Sequence, residues 1–107
     1  MRIDIITILP KMFEPVLNES IIKRAQAKGK VKFFIHDLRD YTGDKHRKVD
    51  DRPFGGGSGM LMTPQPIFDA VKKIKAKSAK PKARVILMCP QGKKLNQGVV
   101  KKLGKFN

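Results

Sequence analysis

The N-terminal part of the chain carries two kinds of hydrophobic pattern in turn. Ile3–Leu9 is a β-branched, mostly apolar run, which is typical of a strand buried on both faces of a parallel sheet. Apolar residues then lie on one helical face from Phe13 to Ala25, with a break near residues 18–20 and a predicted C-terminal stop at Gly29. Val31–Leu38 has the pattern of a second strand. The order β-α-β favours a parallel pair joined by a right-handed crossover.

The rest of the chain begins with a long stretch that has no hydrophobic periodicity. Residues 39–63 are rich in Asp, Arg, His and Gly, and a loop of about 25 residues in a compact domain is usually functional. After Pro64, apolar positions at helical spacing predict an amphipathic helix, Arg84–Cys89 predicts a third strand, and Asn96 is a candidate cap for a last helix. The series predicts an α/β fold with a mostly parallel sheet.

Composition and charge indicate a class of partner. The chain has 107 residues, of which 40% are hydrophobic and 31% charged, as expected for one folded domain. Its formal net charge is +15, and the 12 basic residues from Lys72 to Lys105 follow the last acidic residue, Asp69. Such a field attracts polyanions, because each neutralised phosphate releases condensed counterions. Charge therefore favours nucleic-acid binding, with a solvated lysine-rich surface as the alternative.

Several classes of protein do not fit the sequence. No apolar run approaches the roughly 20 residues that a membrane-spanning helix needs. The apolar run near the N-terminus contains Thr7 and follows Arg2 and Asp4, so it does not resemble a signal peptide. Cys89 is the only cysteine, which excludes an internal disulfide, and two histidines without ligand spacing predict no metal site. We expect a cytoplasmic protein that has no membrane association.

The most unusual segment is Asp50–Met60, which reads DDRPFGGGSGM. Glycines without a Cβ permit positive φ and let backbone N–H groups approach a ligand closely. Neither common phosphate-binding signature matches: no Gly-Lys-Ser/Thr follows, and Met60 stands at the third glycine of G-x-G-x-x-G. The flanks mix acidic, basic, proline and apolar residues, which favours a functional loop over a flexible spacer. The four glycines are Gly55, Gly56, Gly57 and Gly59.

The chain has two histidines, at positions 36 and 46. His46 lies in the basic cluster Asp44–Lys48, which is either a phosphate-contacting arm or a solvated turn. A general-base role for His46 has weak support, because no Ser or Cys partner stands nearby. His36 lies within an apolar run and is predicted to be a packed strand residue.

The segment from Leu87 to Gly92 is the second candidate for chemistry. A buried-looking strand runs here into a Pro-Gln-Gly turn, and open α/β sheets bind ligands beyond the carboxyl ends of their strands. Backbone groups released at such a strand end can read a purine edge, which makes this a candidate cofactor site. The alternative is an ordinary strand-to-helix turn. The residues are Leu87, Met88, Cys89, Pro90, Gln91 and Gly92.

Three segments together strongly resemble the bacterial tRNA (guanine-N1)-methyltransferases. They are the N-terminal strand leading to Met12-Phe13, the run HRKVDDRPFGGGSGMLM at 46–62, and CPQGKKLNQ at 89–97. The resemblance extends over the whole chain. Members of that family transfer a methyl group from S-adenosylmethionine to N1 of guanosine-37 in tRNA, just 3′ of the anticodon. They belong to the SPOUT class, whose methyl donor lies in a deep trefoil knot at a homodimer interface.

The resemblance implies roles for residues of this chain. Leu87–Gly92 would form one wall of the methyl-donor site, and Cys89 stands there where many members carry Ser, a change that a backbone-mediated site should tolerate. The target guanosine would be placed by His46, Asp50, Arg52, Gly55, Gly56, Gly57 and Gly59. The implied partners are tRNA, S-adenosylmethionine and a second copy of the chain.

The resemblance also implies that residues 1–107 are the N-terminal part of a SPOUT methyltransferase domain. We expect the knot-closing segments and a C-terminal tRNA-binding domain beyond Asn107. N1 of neutral guanine needs a base to remove its proton, and the family's base is expected there too, so no catalytic residue is predicted in this chain. The alternatives are a small basic RNA-binding α/β module without catalysis, and a fragment that has no activity of its own.

Overall fold

The computed structural model describes residues 1–51, 56, 59, 61–78 and 83–106. Strands β1 (Arg2–Thr7) and β2 (Lys32–Asp37) pair in parallel, with Arg2 opposite Lys32 and Thr7 opposite Asp37. This pairing confirms the predicted β-α-β unit. The elements between the two strands are a first 3-10 helix (Pro10–Met12), α1 (Glu14–Leu17) and α2 (Ser20–Ala27).

The helical connection breaks and ends where the sequence predicted. Ser20, the first residue of α2, has a φ of +53°, which separates α2 from α1. At the end of α2, Gly29 N donates to Gln26 O at 2.9 Å and Lys30 N donates to Ala25 O at 3.0 Å. This is the Schellman arrangement, which needs a left-handed residue after the cap. Gly29, with a φ of +67°, supplies that conformation without steric cost.

The segment predicted as one long loop contains three short elements. A second 3-10 helix spans Leu38–Tyr41, and the two-residue strands β3 (Asp50–Asp51) and β4 (Leu61–Met62) form an antiparallel pair. The prediction of a continuous loop is thus corrected. Elements of two to four residues are too short to show a hydrophobic period, so the sequence pattern could not reveal them.

The buried cluster lies where β1 ends, between the second 3-10 helix and α3 (Pro64–Lys77). Leu38, Val49 and Ala70 form its centre. The predicted apolar stripe of α3 is confirmed, because Ala70 and Ile74 are buried and Ile67 is partly buried; Pro66 is buried beside them. Around this centre pack Ile6, Ile8, Tyr41 and Ile67.

The predicted third strand is wrong for this structure. Arg84–Cys89 has no regular secondary structure, and Leu87 and Met88 are 80% and 87% exposed. A strand forms only where a neighbouring edge takes up its N–H and C=O groups, and a hydrophobic run alone does not show that such an edge exists. The last helix, α4 (Gln97–Leu103), is confirmed: Val99 N donates to the side chain of Asn96 at 3.0 Å. None of the helices in the described residues has the length and apolarity to cross a membrane.

Candidate functional site

The basic cluster around His46 forms an ordered turn. The Asp44 carboxylate accepts hydrogen bonds from His46 N at 3.3 Å and from Lys48 N at 3.1 Å. The Thr42 hydroxyl accepts from Asp44 N at 3.1 Å and donates to Lys48 O at 3.2 Å. Arg47 has a φ of +55°, a value that residues other than glycine rarely adopt. The closely bonded turn holds Arg47 in this conformation. The backbone of His46 is therefore held in place by its neighbours.

Charge in this turn is partly neutralised within the chain. Hydrogen bonds from the backbone N–H groups of His46 and Lys48 lower the pKa of Asp44, which keeps its carboxylate ionised. The guanidinium of Arg47 bonds to the Asp40 carboxylate and lies 4.0 Å from that of Asp37. Any phosphate contact from this turn would therefore come first from the exposed side chains of Lys45, His46 and Lys48.

Asp50 lies at the edge of the glycine-rich segment, and its position is anchored by Val49. Val49 is buried, and its carbonyl oxygen accepts from Thr63 N at 2.8 Å and from the Thr63 hydroxyl at 3.1 Å. In β3 the half-buried Asp50 pairs with Met62 of β4. These contacts bring residues 49–51 and 61–63 together, so the described residues that flank the glycine-rich segment lie side by side.

Two glycines of this loop adopt conformations that favour glycine. Gly56 has a φ of +76° and Gly59 a φ of +84°, and both are exposed. A Cβ built at either position meets no atom within 4 Å, so the backbone angle rather than lack of space requires glycine there. Arg52, Gly55 and Gly57 lie outside the described residues, and their predicted roles stay predictions.

The candidate cofactor segment ends in a tight turn. Gly92 N donates to Cys89 O at 3.1 Å, which closes the turn over Pro90 and Gln91. A Cβ at Gly92 would lie 3.3 Å from Cys89 O and 3.7 Å from its sulfur, so a larger residue would press on the turn. Cys89 is a free, exposed thiol. Among the described residues, no hydrogen bond joins Leu87–Gly92 to the segment that carries His46 and Asp50.

Comparison with known proteins identifies the family. The family described as tRNA (Guanine-1)-methyltransferase TrmD matches residues 1–107. The chain belongs to the TrmD family. The tRNA (guanine-N(1)-)-methyltransferase of Geobacillus kaustophilus is 52% identical over 105 residues, and that of Dictyoglomus turgidum is 50% identical over 107 residues. These matches cover 98% and 100% of this chain, which spans about 42% of the length of either relative.

A solved structure agrees with the fold of this TrmD-family chain. The crystal structure of tRNA (m1G37) methyltransferase from Aquifex aeolicus superimposes with a TM-score of 0.86 at 35% sequence identity. The match covers 98% of this chain and 46% of that one. The predicted α/β class, a partial SPOUT-type domain with a parallel sheet, is confirmed by this likeness.

The TrmD-family chain contains a hydrogen-bonded group of four polar side chains that the sequence did not predict: Arg2, Asp4, His36 and Tyr41. His36 is half-buried in β2, as predicted, but its Nε2 lies 2.9 Å from Asp4 Oδ1 and its Nδ1 lies 3.2 Å from the Tyr41 hydroxyl. Arg2 donates to both Asp4 oxygens, at 2.8 and 2.9 Å. The alternation of Arg2 and Asp4 with apolar residues along β1 was the available signal, because residues two apart share a sheet face.

The carboxylate of Asp4 is stabilised in its ionised form. Burial raises the pKa of Asp4, but the hydrogen bonds from Arg2 and His36, together with the positive charge of Arg2, outweigh burial, so the pKa lies below its ordinary value of 3.8. An ionised carboxylate only accepts hydrogen bonds, so the atoms of Arg2 and His36 that face Asp4 must be donors.

Proposed function

We propose that this chain is the N-terminal part of the SPOUT domain of a tRNA (guanine-N1)-methyltransferase. Such an enzyme transfers a methyl group from S-adenosylmethionine to N1 of guanosine-37 in tRNA. The observation that carries the proposal is the match of the TrmD family to residues 1–107. The hydrogen bonds from His46 N and Lys48 N to the Asp44 carboxylate support it, because they fix the backbone around His46, a residue of the proposed guanosine site.

Leu87–Gly92 is proposed as one wall of the methyl-donor site. A turn closed from Gly92 N to Cys89 O leaves other backbone groups of the segment at the surface, where they can bond to an adenine edge. The exposed apolar side chains of Leu87 and Met88 suit contact with the adenine ring. A closely packed glycine at the end of the turn favours this backbone-mediated role over a side-chain one.

The second proposed wall places the target guanosine. Its residues are His46, Asp50, Arg52, Gly55, Gly56, Gly57 and Gly59. The positive φ of Gly56 and Gly59 supports a loop that acts through its backbone, and the β3–β4 pair supports a fixed base for that loop. The base that removes the N1 proton is assigned to the part of the relatives that this chain does not cover. Catalysis is therefore proposed for the complete enzyme, which we place in the cytoplasm as a homodimer.

A titration and a reconstitution test the proposal. We expect the chain to bind S-adenosylmethionine and an anticodon stem-loop RNA in isothermal titration. Joined to the C-terminal remainder of the Geobacillus relative, it should methylate a tRNA that carries guanosine-37 and leave one with adenosine there unmodified. A joined protein that folds and dimerises but transfers no methyl group would contradict the proposed activity.

Within that joined protein, Gly56→Val tests the loop's role. Valine resists a φ of +76°, so the loop backbone must shift, and a displacement of about 1 Å at a reactive site costs on the order of 100-fold in rate. The matched control is Gly43→Val, because Gly43 has an ordinary φ and open space around a Cβ. Equal rates for the two variants would exclude a backbone role for Gly56.

The net charge of +15 favours a second candidate, a small RNA-binding module without catalysis. Under that hypothesis the chain would bind RNA with a strong dependence on salt and would show no heat of binding with S-adenosylmethionine. The donor titration therefore separates the two functions.

A further inference from the structure

We infer that His36 is a positioning residue which, through the Tyr41 hydroxyl, fixes the segment 42–50 relative to the parallel sheet. This segment carries His46 and Asp50, so its importance for substrate placement rests on the proposed function. The mechanical link itself is the hydrogen bond that the Tyr41 hydroxyl donates to His36 Nδ1, and the bond that His36 Nε2 donates to Asp4 orients the ring.

The link begins on one face of the sheet. Arg2, Asp4 and Ile6 alternate along β1 and therefore share one face of the sheet. His36 in β2 is paired with Ile6, so its side chain lies on that same face. Two hydrogen bonds from Arg2 hold the Asp4 carboxylate, and that carboxylate holds the imidazole at 2.9 Å. Side chains of β1 therefore fix the orientation of the His36 ring.

The orientation also selects the tautomer. An ionised carboxylate only accepts hydrogen bonds, so the nitrogen facing Asp4, Nε2, carries a proton. In the neutral ring Nδ1 is then a lone-pair acceptor, and it lies 3.2 Å from the Tyr41 hydroxyl, which donates to it. The positive groups nearby are Arg2, bonded to Asp4, and Lys73, whose Nζ lies 5.6 Å from the centre of the Tyr41 ring.

Tyr41 passes this constraint to the candidate site. It is the last residue of the second 3-10 helix and packs against the buried cluster of Leu38, Val49 and Ala70. Val49 precedes Asp50 and bonds to Thr63, so the position of the cluster determines where β3 begins. The hydroxyl of Tyr41 therefore contributes to the direction in which the chain leaves the 3-10 helix.

A packing role for Tyr41 is the competing explanation. Its ring meets the His36 ring edge-on, with centroids 6.4 Å apart, and would fill the same space without the hydroxyl. Arg39 also ties the 3-10 helix to the residue that follows β1, through the carbonyl of Ile8. Loss of the hydroxyl should thus loosen the segment 42–50 without unfolding the chain, which allows the two explanations to be separated.

The first test is Tyr41→Phe, followed by amide hydrogen exchange on the 107-residue chain. A hydrogen bond of ordinary strength should be lost, so the amides of His46, Lys48 and Thr63 should exchange about 2- to 10-fold faster. Unchanged amides in β1 and β2 would show that the variant is folded. The matched control is Thr7→Val, which deletes a hydroxyl bonded to Leu9 N and should leave those three amides unchanged.

The second test distinguishes the two nitrogens of His36. In His36→Asn, an amide oxygen lies near the position of Nδ1 and can accept from Tyr41. In His36→Gln, an amide nitrogen lies near the position of Nε2 and can donate to Asp4. We expect His36→Asn to keep the slow exchange of 42–50 and His36→Gln to match Tyr41→Phe. A purely structural ring would not produce this order.

Several outcomes would overturn the inference. They are unchanged exchange in Tyr41→Phe, equal losses in both His36 variants, and protection kept by His36→Gln but lost in His36→Asn. Affinity for the anticodon stem-loop should follow the exchange order among the variants. If the unmodified chain binds no RNA, the proposed RNA function fails, and the exchange data still decide whether His36 positions the segment.

Discussion

Asp4 accepts hydrogen bonds from Arg2 and His36, side chains that lie 2 and 32 positions away in the sequence. The first contact is local and follows from strand alternation, but the second depends on the register of β1 against β2. At the scale of single residues, the alternation of polar and apolar positions thus predicted the face that each side chain occupies. The partner on that face was decided by the pairing of the two strands.

The lowered pKa of Asp4 predicts how its contribution to stability changes with pH. Because the folded-state pKa lies below 3.8, the stabilisation is complete above that value and is lost as pH falls through the folded-state pKa. At pH 7 we expect Asp4→Asn to lower the free energy of unfolding by about 1 kcal/mol. Urea denaturation of both proteins should show this difference shrinking below pH 3.8.

The control is Asp69→Asn in α3. Among the described residues, the Asp69 carboxylate accepts one hydrogen bond, from Gln65, and that bond is exposed to solvent. Its effect should stay within about 0.5 kcal/mol. A difference for Asp4→Asn that stays constant into strong acid would show that the ionised carboxylate is not the source of the stability.

At the scale of elements, local signals predicted helix ends well. Gly29 was recognised as a stop because only a left-handed residue completes that cap, and Asn96 was recognised because its side chain replaces a missing backbone acceptor. Both signals act within a few residues. The pair β3–β4 and the absence of a strand at Arg84–Cys89 were not foreseen, because pairing depends on segments far apart in the chain.

Packing between elements gives a prediction for Leu38. Only 1% of this side chain is exposed where the second 3-10 helix meets α3. Truncation in Leu38→Ala removes buried apolar surface and leaves a cavity, so we expect a loss of about 2–5 kcal/mol in the free energy of unfolding. Denaturant titration followed by circular dichroism would measure it.

Leu95→Ala is the matched control, since the same atoms are removed from a side chain that is 66% exposed. That change should cost less than about 0.5 kcal/mol. Comparable losses for the two leucines would contradict the placement of the core between the 3-10 helix and α3.

At the scale of the whole molecule, charge is distributed unevenly along the chain. No acidic residue follows Asp69, whereas 12 basic residues lie between Lys72 and Lys105. The described part of this stretch includes the exposed lysines of α3 and α4, which can approach a polyanion without rearranging the fold. A field of this kind contributes affinity for a phosphate backbone and little discrimination among sequences.

RNA affinity should therefore depend steeply on salt. With about four phosphate contacts, raising the salt from roughly 50 to 200 mM should weaken binding by about 50- to 150-fold. Fluorescence anisotropy on the anticodon stem-loop and on an unrelated hairpin would give the two slopes, which should be alike. An affinity that is insensitive to salt would contradict an electrostatic contribution.

The double variant Lys72→Gln with Lys75→Gln should flatten that slope. Its charge-matched control is Lys23→Gln with Lys28→Gln. These two exposed lysines lie outside the basic stretch, Lys23 within α2 and Lys28 directly after it. Equal effects of the two pairs would show that RNA affinity depends on the net charge of the chain and not on the basic stretch after Asp69.

The sequence by itself determined the class of fold, the helix caps, the basic character and the family resemblance of this chain. These properties depend on composition, short-range periodicity and motifs, all of which are local in the sequence. Tertiary structure decided the hydrogen bonding of Val49 to Thr63 on either side of the glycine-rich segment, and the bonding of His36 to both Asp4 and Tyr41. It also decided that Leu87 and Met88 lie exposed. Each of these depends on which distant segments meet, because a hydrogen bond or a buried contact exists only when the fold supplies its second partner.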